Sequence, residues 1–250
     1  MSVQNDRKLN RLILNWPKGT VNTAEWMVAQ GFGRSLIDKY KKSHWISSIG
    51  RGAYILPGDR VDWAGGLFAL QQQLKLNIHV GGKTALQLKG LAHFLTPEIK
   101  KITLFGIAKQ KLPVWFKNYD WGVEVDYINT NLFSKDIGIS NYDYGNFTIN
   151  ISSAERAIME TLFQVPLKQT FTEGSLLMEH LITLRVDLIG ELLENASSIK
   201  MKRLFLYLAE KHALPWFDQL DMSNIDIGSG KRVIIPGGAF NIKYGITVPK

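Results

Sequence analysis

Between Arg7 and Trp16 the apolar residues fall at Leu9, Leu12, Ile13 and Trp16, the spacing of a helix with one buried stripe, and Pro17-Lys18-Gly19 predicts its end. Asn22 or Thr23 is placed to cap a second helix through Trp26 and Met27, with Glu25 set to return a hydrogen bond to Asn22. Gly31-Phe32-Gly33 then supplies a tight turn. A third helix is predicted from Ser35 to His44: Leu36, Ile37 and Tyr40 form its inner stripe, and Arg34, Ser35, Asp38, Lys39, Lys41 and Lys42 fall outside it. The run from Trp45 to Gly58 reads as two short strands joined at Gly50-Arg51-Gly52. Three helices followed by a hairpin, with a glycine turn between the second and third, are the pattern of a winged helix-turn-helix.

Further along, Trp63, Leu67, Leu70 and Leu74 predict a helix over Asp62 to Leu74, and Ile78-His79-Val80 a short strand. Gly81-Gly82 turns into a helix predicted over Thr84 to Phe94, and the first domain is expected to end near Leu95, with Thr96-Pro97 at the junction. From Lys101 onward, strands are predicted at Ile102 to Phe105, Val123 to Ile128 and Phe147 to Ile151, with loops rich in Asn, Asp, Gly and Tyr between them. Ser152-Ser153-Ala154-Glu155 reads as a capping box for a helix to Phe163. Helices follow at Leu176 to Leu184, Val186 to Asn195 and Lys200 to His212, and a hairpin is expected from Val233-Ile234-Ile235 and Tyr244 to Val248 around Pro236-Gly237-Gly238. The fold class expected is therefore α+β: a winged helix-turn-helix domain over residues 1–95 and a mixed α/β domain over 96–250.

Charge sharpens this picture. Residues 1–100 carry fourteen Lys and Arg against six acids, whereas the other 150 residues hold sixteen of each, so the whole net charge of +8 lies around the winged-helix pattern. That is the footprint expected of a duplex-DNA binder. With 45% hydrophobic residues in 250, the chain can fill two cores. It has no cysteine, which excludes disulfides, thiolate metal sites and Cys nucleophiles. The polar first ten residues lack a signal-peptide core, and no apolar run approaches the ~20 residues that span a bilayer. The expectation is a soluble, cytoplasmic protein without a membrane partner.

The residues expected to meet DNA are Arg34, Ser35, Lys39, Lys41 and Lys42 on the third helix and Arg51 at the wing tip. Winged helices also serve as protein-binding modules, and lysines on such a helix can be simply solvated. Gly81-Gly82-Lys83-Thr84 lacks the spacing of a phosphate loop, since Asn77 stands where the first glycine belongs. Lys83, at a helix start, remains a candidate for a DNA phosphate. Two further basic stretches, 101–117 with Lys101, Lys109, Lys111 and Lys117, and 227–250 with Lys231, Arg232, Lys243 and Lys250, contain no acid. They could extend the DNA footprint, meet a partner, or be solvated.

Catalytic chemistry is sparse. Glu124 and Asp126 share one face of a strand, an arrangement that can hold Mg²⁺, but the accompanying elements of a nuclease or nucleotidyltransferase are absent from the sequence. The five His lack ligand spacing. Glu155 and Arg156 are expected to form an ion pair, and Trp121 and Trp216 are candidate surface anchors. No catalytic residue, metal site or cofactor is expected.

Several stretches together resemble the AbiEi family of antitoxins: Tyr40-Lys41-Lys42-Ser43-His44-Trp45-Ile46, Gly52-Ala53-Tyr54, Gly81-Gly82-Lys83-Thr84-Ala85-Leu86 with Leu88 and Gly90, Ile151-Ser152-Ser153-Ala154-Glu155-Arg156-Ala157, and Gly228-Ser229-Gly230-Lys231-Arg232-Val233-Ile234. The family often has Gly where His44 stands and Pro where Ala154 stands. The resemblance, which covers nearly the whole chain, implies a repressor that binds inverted repeats near its own promoter. It also implies a C-terminal domain that neutralises a co-encoded nucleotidyltransferase-like toxin without a stable complex. Lys109, Lys111, Lys231 and Arg232 are the candidates for that second surface. A plain winged-helix transcription factor and a metal-dependent enzyme using Glu124 and Asp126 are the alternatives.

Overall fold

In a computed structural model, residues 3–92, 98–134 and 136–250 are described. The expected domain end at Leu95, with His93, Phe94, Thr96 and Pro97, lies outside them.

The first six elements are helix α1 (Val3–Leu14), strand β1 (Asn22–Thr23), helices α2 (Ala24–Ala29) and α3 (Arg34–Lys42), and strands β2 (Ser47–Gly50) and β3 (Ala53–Ile55). The three strands form one sheet in the order β1-β3-β2, both pairs antiparallel, which is a winged helix-turn-helix. Leu9, Leu12, Trp16, Met27, Phe32, Ile37, Tyr40, Ile46 and Tyr54 close its core, and each fully buried side chain of this size contributes about 1.5–3 kcal/mol. Thr23 caps α2 by accepting from the Trp26 amide at 3.3 Å. The capping role of Asn22 is corrected: it lies in β1 opposite Tyr54, buried, and accepts from Gln73. Gly31, at φ +86°, makes the turn between α2 and α3. α3 ends at Lys42, two residues earlier than expected, and His44 follows at φ +58°.

Helix α4 (Trp63–Phe68), capped by Asp62, continues as a π-helical turn over Ala69–Gln73. That turn presents two glutamines to neighbouring backbone. Gln73 accepts from Thr23 N and donates to Val21 O, and Gln71 bonds Ile78 O and both backbone groups of Asn150. Next come β4 (Ile78–Val80), α5 (Gly82–Leu88), β5 (Lys101–Gly106), α6 (Val114–Asn118), β6 (Glu124–Asn129), β7 (Ile139–Asp143) and β8 (Thr148–Ser152). Five strands form a sheet in the order β6-β5-β4-β8-β7. α5 stops at Leu88, short of the expected Phe94, because Lys89 caps it and Gly90 turns at φ +70°. Strand β7 and helix α6 went unanticipated.

The remaining elements are α7 (Ala154–Phe163), α8 (Phe171–Glu179), α9 (Val186–Asn195), α10 (Ile199–Lys211), and short strands β9 (Arg232–Val233), β10 (Ala239–Asn241) and β11 (Ile246–Val248). α8 begins five residues before the helix expected from Leu176. The C-terminal hairpin is formed by β10 and β11, and β9 joins β11 in parallel, so Val233 is not the hairpin partner expected.

The chain forms two compact units: Met1–His79 with Lys109–Asp126 and Asn141–Asn150, and Val80–Ala108 with Tyr127–Ser140 and Ile151–Lys250. In the first, Tyr144 donates to Asp62 at 2.9 Å, and a Cβ on Gly66 would stand 2.5 Å from the Trp121 ring. Trp121 is thereby buried, its indole N–H bonded to Phe116 O at 2.8 Å, and is no surface anchor. In the second unit α7 is the hub, with Ala157, Ile158, Met159 and Leu162 fully buried. Ser153, not Ser152, caps it by accepting from the Arg156 amide. The expected Glu155–Arg156 pair is corrected too: adjacent helical side chains diverge by about 100°. Arg156 meets Glu160 one turn on at 2.8 Å, while Glu155 accepts two bonds from the Arg185 guanidinium at 3.1 Å. Trp216 is likewise buried and donates to Leu181 O at 2.7 Å. From α10, Arg203 donates to the carbonyls of Ile227, Gly228, Gly230 and Gly245 at 2.6–3.2 Å.

Candidate nucleic-acid interface

Ile37 and Tyr40 of α3 are buried in the winged-helix core, and Leu36 is partly so. At about 100° per residue, the direction opposite that stripe is occupied by Ser35, Asp38 and Lys42, with Arg34 and Lys39 beside them and Lys41 at the flank. All six are exposed. This is a cationic, polar face broken by one carboxylate, and Ser, Lys and Arg on such a face have the donors that phosphates and base edges accept. Asp38 also acts on the core behind it: burial first, and then this carboxylate, push the Tyr54 phenol above its usual value, which keeps it neutral.

Arg51 is exposed at the turn between β2 and β3. It lines, with Arg34, a groove of about 740 Å³ whose other walls are Thr23, Ala24, Glu25, Val28, Gly52, Leu74, Pro113 and Trp115. Two arginines, one from the start of α3 and one from the wing, thus line the same concavity. Glu25, an acid in the first turn of α2, lines the same groove.

The sequence reading missed Pro113 and Trp115. They come from the chain beyond residue 100 yet pack on the wing: a Cβ on Gly50 would lie 2.7 Å from Trp115 Cβ and 3.1 Å from its Cα. Helix α6 thus braces the wing backbone at a distance only glycine allows. No local pattern signals this, because the contact is made across 65 residues of chain.

The other candidates are dispersed. Lys109 and Lys111 are exposed and belong to the unit that carries the winged helix. Lys231 and Arg232 are exposed in the other unit, where the Lys231 ammonium stands 5.0 Å over the Phe240 ring. Lys83 belongs to that second unit as well, and its ammonium is 2.8 Å from the Glu173 carboxylate. The start of α5 is already satisfied internally, since Glu160 accepts from the Gly82 amide at 3.0 Å and from Ser152 Oγ at 2.8 Å. A Cβ on Gly81 would lie 2.2 Å from that carboxylate, so it leaves no room for a phosphate. Glu124 and Asp126 lie on β6, at an edge of the five-stranded sheet. Among the described residues no group of three His, Cys, Asp or Glu is placed to hold a metal ion. Among the same residues no helix is long and apolar enough to cross a membrane.

Comparison with known proteins covers the chain in two consecutive stretches. Residues 5–97 match the family model described as "Transcriptional regulator, AbiEi antitoxin N-terminal domain", and residues 99–249 match "Transcriptional regulator, AbiEi antitoxin, Type IV TA system". No curated protein matches. Among solved structures, the crystal structure of the RV2827C protein from Mycobacterium tuberculosis shares the fold, with a TM-score of 0.61 over 98% of this chain and 91% of that one at 14% identity. With both models matching and between them covering the chain almost end to end, the protein belongs to the AbiEi family of type IV toxin-antitoxin transcriptional regulators.

Proposed function

We propose that this chain is a repressor of its own operon and the antitoxin of a nucleotidyltransferase-like toxin. In this reading the winged helix of residues 1–95 binds inverted repeats near the promoter, with α3 in the major groove and Arg51 on the flanking backbone or minor groove. Residues 96–250 neutralise the toxin by binding chemistry alone, without a stable complex. The supporting observation is the disposition of α3: its apolar stripe is consumed by the core, and Arg34, Ser35, Lys39 and Lys42 are left exposed, with Arg34 and Arg51 sharing one groove. Family membership supports the pairing of regulation with antitoxicity.

Two assays test it. Fluorescence anisotropy with a duplex carrying the repeats upstream of the gene should give tighter binding than a scrambled duplex of equal length. Co-expression with the adjacent gene's product should restore growth with the full chain but not with a fragment ending near Leu95 that circular dichroism and duplex binding show to be folded. Equal affinity for both duplexes removes the repressor assignment, and rescue by the fragment removes the division of labour.

A further inference from the structure

We infer that the DNA-binding surface does not end at the wing but continues onto the segment 109–117, whose lysines contact backbone phosphates beyond the wing tip. This rests on the winged-helix reading above and extends it to residues outside the N-terminal pattern.

Three observations carry it. First, Lys109–Asp126 folds into the same compact unit as the winged helix, so Lys109, Lys111 and Lys117 are fixed relative to α3 and the wing. Second, the join is close: Trp115 approaches Gly50 so tightly that a Cβ at Gly50 would lie 2.7 Å away, and Pro113 and Trp115 line one groove with Arg34 and Arg51. Third, the chemistry of this segment is one-sided. Leu112, Trp115 and Phe116 are buried and anchor it, whereas Lys109, Lys111 and Lys117 are exposed, and no acid occurs between Lys101 and Lys117.

The distances suit DNA. Lys117 is two residues from Trp115 and Lys111 four, so the farther lysine lies within about 14 Å of the braced wing backbone along the chain. That is about four base-pair steps of duplex, close enough for both ammonium groups to follow the backbone that Arg51 approaches. The groove that Arg34 and Arg51 line with Pro113 and Trp115 then joins α3 and the 109–117 segment in one footprint. Lysines on backbone phosphates add affinity without reading sequence, so this extension strengthens every duplex alike.

The test uses the full chain and two duplexes, one carrying the promoter repeats and one of random sequence, titrated by anisotropy from 50 to 200 mM salt. Lys111→Ala with Lys117→Ala should weaken both duplexes by the same factor and flatten the slope of log affinity against log salt by about 0.9 per lost phosphate contact. The Lys111→Arg, Lys117→Arg variant, which keeps the charge, should restore the slope. If Lys39→Ala with Lys42→Ala flattens the slope while the Lys111, Lys117 pair leaves it unchanged, the extension is wrong and the winged-helix interface stands. If neither pair alters binding, the winged-helix reading fails and takes the extension with it. If the Lys111, Lys117 variant binds DNA normally but no longer protects cells from the toxin, these lysines serve the toxin and the inference is overturned.

Discussion

Replacing Lys39 and Lys42 with Ala tests the exposed face of α3 apart from the fold. Both side chains are exposed and three residues apart on α3, one turn of the same face, and neither belongs to the core built by Ile37 and Tyr40. Alanine is the best helix former, so stability should stay within about 0.5 kcal/mol of the parent. If each lysine neutralises one phosphate, the slope of log affinity against log salt falls by about 1.8 per bound chain. Between 50 and 200 mM salt, a fourfold change, that slope difference amounts to about a twelvefold difference in how far affinity drops. Two chains on an inverted repeat would double the slope change. The assay is anisotropy at four or more salt concentrations, with circular dichroism and a thermal melt as the folding control. A normally folded variant with an unchanged slope would refute the placement of this face on DNA, whatever the affinity at a single salt concentration.

Other outcomes follow from the interior and from the acids. Glu160→Ala should cost about 3–5 kcal/mol in urea denaturation, because it leaves the Arg156 guanidinium and the Gly82 amide buried without their shared acceptor. Burial works to raise the pKa of Glu155, but its hydrogen bonds, chiefly those from Arg185, prevail and hold it at about 2 against 4.5 ordinarily. Its contribution is therefore complete above about pH 5 and lost as pH falls towards 2, and Arg185→Gln should shrink the acid-side loss of stability seen in melts across that range. His44→Gly should raise stability by about 1 kcal/mol, since a left-handed backbone costs an L-residue roughly that much, and a lower melting temperature would contradict it. Glu124→Gln with Asp126→Asn should leave operator binding and growth rescue intact. Lost rescue in a variant that folds and binds DNA would instead make these carboxylates part of the antitoxin chemistry.

The winged helix was legible because its signals are local: apolar spacing in α1 and α3, a glycine turn, and a hairpin with a glycine-flanked arginine. His44 occupies a φ +58° position natural to glycine, and Ala154 is the first residue of α7, where proline is at home. What stayed hidden depends on distant chain. Ile139–Asp143 reads as a loop because its Ser, Asn and Asp follow no buried alternation, and it becomes a strand only at the sheet edge beside β8. Helix α6 is five residues long, too short for periodicity to show, and its importance lies in a partner, Gly50, far upstream. Lys83 looked available to a phosphate because Glu173 is ninety residues away in sequence.

The Arg203 guanidinium gathers carbonyls from Ile227, Gly228, Gly230 and Gly245, points spread over nineteen residues of chain. One side chain therefore acts as a clasp for the C-terminal stretch, whose three strands are only two or three residues each. Such a clasp opens all at once. The amides from Ile227 to Val248 should exchange with solvent as a single cooperative group, at a free energy below that of global unfolding. Lysine could reach only part of the ring with its single ammonium. Arg203→Lys should therefore expose this stretch to protease while the α7 hub stays protected.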